Sequence, residues 1–157
     1  MQAVAHVRAR VHPDEEAVAR RVLPDRAFAL YRGMPVADRR HALDVVDKLL
    51  AAGHDDSDLL AAALLHDVAK GDRMRLWHRS VGVILESLAP DILRRLASAD
   101  PQSWRHPFHL YLYHDRLSAQ LSADAGCAPR VGAFIIGAVD GADARLLAAL
   151  KEADDAS

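Results

Sequence analysis

The chain of 157 residues has a single cysteine, Cys127, so no disulfide can form within it. Aromatic residues make up only 5% of it, and β-branched residues are sparse and scattered, which argues against sheets and for helices rich in alanine and leucine. No run approaches the roughly 18 apolar residues that a membrane span needs. The opening MQAVAHVRARVHP lacks the apolar core of a signal peptide, so the expected location is the cytoplasm. Charge of one sign is missing too. The net charge is −2 with acids and bases interspersed, and no basic footprint of a nucleic-acid binder stands out. What remains is an all-α protein of one domain over residues 1–157. A chain of this length buries a core without disulfides or a structural metal, so a metal here would be functional.

Histidine is plentiful by contrast, with nine residues at positions 6, 12, 41, 54, 66, 78, 106, 109 and 114. The most telling context is Ala61 to Gly71, AAALLHDVAKG, where His66 and Asp67 stand side by side at the end of an apolar run. Isolated charge there is costly. A divalent cation compensates it, because a neutral imidazole nitrogen and a carboxylate oxygen both ligate Mn, Fe, Mg, Co, Ni or Zn. Lys70 follows Asp67 by three positions and returns to the same helical face. A metal pair with an ammonium beside it suggests phosphate.

The helical pattern places these residues. Residues 1–23 read as an arm followed by a short helix opened by Pro13 and Asp14 and ending near Leu23, with the domain core over about 24–157. A second short helix carries Phe28, Leu30 and Tyr31 and stops at Gly33. Pro35 to Ala52 forms a long amphipathic helix, Gly53 closes it, and Asp56, Ser57 or Asp58 caps the next helix, which runs to about Ala69. Joined at Gly53, these two helices are antiparallel. At about 1.5 Å per residue, His41 lies about 18 Å before the turn and His66 at most about 20 Å after it, so the two are level. Further helices are expected over Met74–Leu88, Asp91–Ala97, from Phe108 through or bending at His114 to Gly126, from Pro129 to Gly141, and from Ala142 to about Asp155. Asp100 to Pro107 reads as a structured loop. In the last helix Asp154 follows Leu147 by seven and Leu150 by four, so it faces inward, whereas Asp155 faces solvent.

RRHALDVV, then LLAAALLHDVAKG, then LLAALKEADD follow the order of ligands that resembles the HD-domain phosphohydrolase superfamily, over roughly residues 24–157. The resemblance implies an HD-like helical bundle in which His41, His66, Asp67 and Asp154 bind a divalent metal. It also implies hydrolysis of a phosphate ester of a small molecule, with nucleotides the first guess. A cation so held lowers the pKa of water and polarises a phosphoryl oxygen. Asp67 would both ligate and orient or deprotonate that water, while Lys70 would neutralise phosphate charge. His114 is similar to the additional histidine of two-metal subfamilies. Those also carry a histidine at the end of the following helix, where this chain has Asp140, so His114 and Asp140 are candidates for a second metal or for substrate. The one-metal reading, with His114 binding substrate or acting as a general acid, is preferred. Ala69 stands where related sequences have glycine.

Arg73, Arg75 and Arg79 are weaker candidates for the phosphate. None of the three has a motif of its own, and the Arg39-Arg40 pair reads as a solvated helix face rather than an anion site. His78, His106 and His109 read as structural or exposed, and Cys127 as a small core residue without a partner base. The main rival to a hydrolase is a catalytically inactive HD-fold module that keeps the metal and binds a nucleotide or protein partner in a regulatory role. A structural bundle with an incidental His-Asp pair would bind no metal at all.

Overall fold

A computed structural model of the chain describes residue 11, residues 15–70 and residues 84–157. Among these residues every regular element is a helix: α1 (Ala17–Val22), α2 (Asp25–Arg32), α3 (Val36–Ala51), α4 (Ser57–Leu65), α5 (Pro90–Leu96), α6 (His106–Asp124), α7 (Pro129–Ile136) and α8 (Gly141–Asp155). Residues 84–88 are helical as well, and the rest of the expected Met74–Leu88 helix lies outside the described residues. No helix among the described residues is long and apolar enough to cross a membrane.

The bundle is built around α4. Residues Leu59 to Leu65 are buried without exception, as a helix apolar on every face requires, and α1, α3, α6, α7 and α8 all pack on it. Each of its buried leucines contributes about 1.5–3 kcal/mol of burial free energy. Charged groups can stand only at its two ends. At the first, Asp56 caps the helix by accepting hydrogen bonds from the Asp58 and Leu59 N–H groups at 3.1 and 3.0 Å. Helix α3 turns back into α4 at Gly53, whose φ of +85° suits glycine, and the His54 N–H closes the end by donating to Leu49 O at 2.9 Å.

Several expectations are corrected. Helix α4 ends at Leu65 rather than near Ala69. Val68 N–H and Lys70 N–H bond three residues back, to Leu65 O and Asp67 O, while Ala69 N–H donates to Ser118 Oγ at 3.1 Å. A hydroxyl of α6 has replaced a helical carbonyl, and the helix tightens into turns at His66 to Lys70. Helix α7 stops at Gly137 instead of Gly141, because Gly137 adopts the left-handed conformation at φ +72° and Gly141 opens α8. Helix α6 starts at His106, Pro107 being harmless in a first turn, and continues unbroken through His114.

The expected short amino-terminal helix is α1, whose Ala19 is fully buried and which packs on α4, while the arm before it, residue 11 apart, lies outside the described residues. Nor is the Arg39-Arg40 pair a solvated face. Arg39 joins Arg32 on the buried carboxylate of Glu16, both at 2.7 Å, and Arg40 reaches Asp44 at 2.9 Å and also pairs with Glu15. Tyr31 is enclosed beside this group, and burial pushes its hydroxyl up to about 12.

Candidate metal centre

The far end of α4 meets the first half of α3 and the last turn of α8, and there the polar side chains converge. The level placement of His41 and His66 holds, with ring centroids 5.5 Å apart in an edge-on arrangement. Asp154, and not the exposed Asp155, turns in to meet them. Its Oδ1 lies 2.8 Å from His41 Nε2 and 3.4 Å from His66 Nε2. One donor atom from each of His41, His66 and Asp154 falls within 4.8 Å of the others.

His66 decides what this group can do. Its Nδ1 lies 2.9 Å from the Ala63 carbonyl, which can only accept, so Nδ1 carries a proton. In the neutral ring Nε2 therefore presents a lone pair, and it faces Asp154 Oδ1 at 3.4 Å and Asp67 Oδ1 at 3.6 Å. Nε2 is buried and has no hydrogen bond of proper geometry. A lone pair opposite two carboxylates is repulsive unless a proton or a cation lies between them. Burial opposes the imidazolium, yet Asp154 and Asp67 outweigh it and raise the His66 pKa above its ordinary value. The same histidines, His41 foremost, hold the Asp154 carboxyl well below the usual carboxylate range.

The residues present fit a divalent cation. Two imidazoles and a carboxylate suit Mn, Fe, Co, Ni or Zn better than Mg, and the bond from His66 Nδ1 to a backbone carbonyl is the support that metal-bound histidines commonly use. Asp67, the fourth expected ligand, faces the same His66 Nε2 as Asp154, its Oδ1 3.6 Å away. It is 4% exposed, and its Oδ1 is paired with the Lys70 ammonium across three residues. Burial opposes its charge, but His66 and Lys70 prevail and lower its pKa.

A cleft of about 240 Å³ opens beside the trio. His114 lines it as expected, its Nε2 2.9 Å from Asp115 Oδ1 and its Nδ1 3.1 Å from the Tyr111 carbonyl. The His114 contact lowers the Asp115 pKa. Asp140, the other second-metal or substrate candidate, is exposed at the N-cap of α8 and is not among the residues lining the cleft. Arg73, Arg75 and Arg79 lie outside the described residues. Two lining residues escaped the sequence reading, Asp115 and Lys151. The first was legible, since His114-Asp115 repeats the His-Asp doublet; the second precedes the inward Asp154 by three, one helical turn. Cys127 is half-buried against the core, where burial pushes its thiol up, away from nucleophilic use.

Comparison with protein-family models, with curated proteins and with solved structures returns no match for this chain.

Proposed function

We propose that the protein is a metal-dependent phosphohydrolase of the HD type, acting on the phosphate ester of a small molecule. The observation that carries the reading is the buried His66 Nε2 aimed, together with His41, at the carboxylate of Asp154. His41, His66 and Asp154 would hold the ion. When bound, a divalent ion supplies a Lewis acid for the phosphoryl group and lowers the pKa of water.

The chain's own groups divide the remaining work. Asp67, with its depressed pKa, is a strong hydrogen-bond acceptor and a weak base, so it orients the attacking water more than it deprotonates it. Lys70 compensates the charge of Asp67 and of the incoming phosphate. His114, held at Nδ1 by the Tyr111 carbonyl, is the group to protonate the leaving oxygen, giving up its Nε2 proton when that oxygen takes the place of Asp115.

The test is release of inorganic phosphate from a panel of phosphomonoesters and phosphodiesters by Mn-loaded protein. Asp67→Ala should lower turnover by a factor on the order of 10² or more while the variant stays folded. A second reading, a metal-retaining module that binds a phosphorylated ligand without turnover, is favoured by one feature, the Lys70 ammonium occupying the oxygen of Asp67. It would give ligand-dependent stabilisation and no phosphate release from any ester.

A further inference from the structure

The cleft has two unlike walls. The polar wall carries Lys70, His114 and Asp115 next to the trio. The end of α7 and the inner face of α8 supply the rest of the lining, where Ile135, Ile136, Leu147 and Leu150 are apolar and Lys151 is charged. Gly137 turns the chain at the end of α7 in the left-handed conformation, beside Leu147 and the Lys151 ammonium.

Two properties of these walls restrict what fits. First, the carboxylates of Asp67, Asp115 and Asp154 exceed the ammonium groups of Lys70 and Lys151 by one negative charge, which a divalent cation reverses. The ion therefore makes the cleft more receptive to an anion. Second, a nucleobase is read by stacking on an exposed aromatic face and by hydrogen bonds to its edges. Among the described residues that line the cleft there is no Asn, Gln, Ser or Thr; Phe134 is 1% exposed and turns no face outward, and the imidazoles of His66 and His114 are tied at Nδ1 to the Ala63 and Tyr111 carbonyls. Ile136, by contrast, is 47% exposed and free to be covered. The volume also lies below the roughly 300–1,000 Å³ typical of sites for larger ligands.

We infer that the cleft takes the phosphate monoester of a compact apolar alcohol, its phosphate between the ion and the ammonium groups of Lys70 and Lys151 and its hydrocarbon part against Ile136 and Leu147, and that it disfavours nucleotides. The phosphate end of this inference rests on the proposed phosphohydrolase; the apolar end rests on the wall of α7 and α8.

The test uses non-hydrolysable phosphonates and the full chain, with binding read by calorimetry at saturating Mn. Butylphosphonate should bind about tenfold more tightly than methylphosphonate, the preference that partly buried methylenes give. Ile136→Asn, at an exposed position, should reduce that ratio to about threefold or less. Lys151→Gln should weaken both phosphonates by a similar factor, about threefold to tenfold, leaving their ratio intact. Thymidine monophosphate should bind more weakly than butylphosphonate. Equal or undetectable binding of the two phosphonates by protein that takes up Mn, or tighter binding of the nucleotide, overturns this inference and leaves the phosphohydrolase standing. Failure to take up Mn overturns the phosphohydrolase, and the chain-length ratio measured on the metal-free protein then still decides the apolar wall.

Discussion

The two ends of α4 carry two charged clusters that differ in one respect. At the first, Arg130 of α7 donates to Asp56 and Asp143 at 2.8 Å and to Asp58 at 3.3 Å, and its guanidinium lies over the Phe134 ring. Donors and acceptors there close on one another, and the cluster ties the start of α4 to α7 and α8. At the other end, His41 Nε2 and Asp154 Oδ1 are hydrogen-bonded at 2.8 Å, but the buried Nε2 of His66 is aimed at carboxylates with no hydrogen bond of its own. A structural ionic cluster satisfies itself. A site for a cation leaves a donor set oriented and incomplete, and the energetic cost is recovered only on binding.

The sharpest way to break this contrast is to add the ion. At about 100 times its Kd, Mn should stabilise the metal-free protein by roughly 2.7 kcal/mol, a rise of roughly 5–10 °C in Tm. Asp56→Asn, which alters the first cluster alone, should leave that rise intact.

The two ends should also answer pH with opposite signs. The pKa of Asp56 is lowered on folding, burial being outweighed by Arg130, and that of Asp143 is lowered by the same arginine. Their contribution is present above the ordinary carboxylate value of 3.8 and is lost as pH falls through the depressed folded values. For His66 the folded pKa is raised, so in the metal-free protein its contribution is present below the ordinary value of 6.5 and is lost as pH rises through the folded value. Urea unfolding between pH 5 and 9 (a window set by the ordinary His and carboxylate values) should therefore show metal-free protein losing stability toward alkaline pH, with Mn cancelling the loss. A flat profile would contradict the assignment.

Smaller effects sharpen the comparison. Arg130→Gln should lower Tm by about 2–4 °C, modest because the cluster is partly exposed, with metal uptake unchanged and with the difference from wild type vanishing in acid. Ser118→Ala removes the hydroxyl that receives the Ala69 N–H and should cost about 1 kcal/mol. Because that bond holds the turn bearing His66 and Asp67, the variant should also bind Mn severalfold more weakly, measurable by titration.

Much of this arrangement was legible in the sequence because it follows from helical period and caps. The spacing from Leu147 and Leu150 chose Asp154 over Asp155, and the turn at Gly53 set His41 level with His66. What was not legible depends on partners distant in sequence. Nothing near Ala69 says that Ser118 will take its N–H and end α4 early, nor does the pattern around Glu16 show that Arg32 and Arg39 will converge on it. Gly137 and Gly141 were both competent to end α7, and only the fold decides between them. Asp140 looked equivalent to a ligand by order along the chain, but order does not fix direction, and it stands exposed ahead of α8.

The most direct measurement is the metal content of the protein purified without chelator or affinity tag, beside His66→Ala treated identically. The account predicts about one Mn, Fe, Co, Ni or Zn per chain in the wild type and none in the variant, the stoichiometry expected of a single site with this donor set. Wild-type protein that carries no metal and takes up neither added Mn nor added Zn would contradict it.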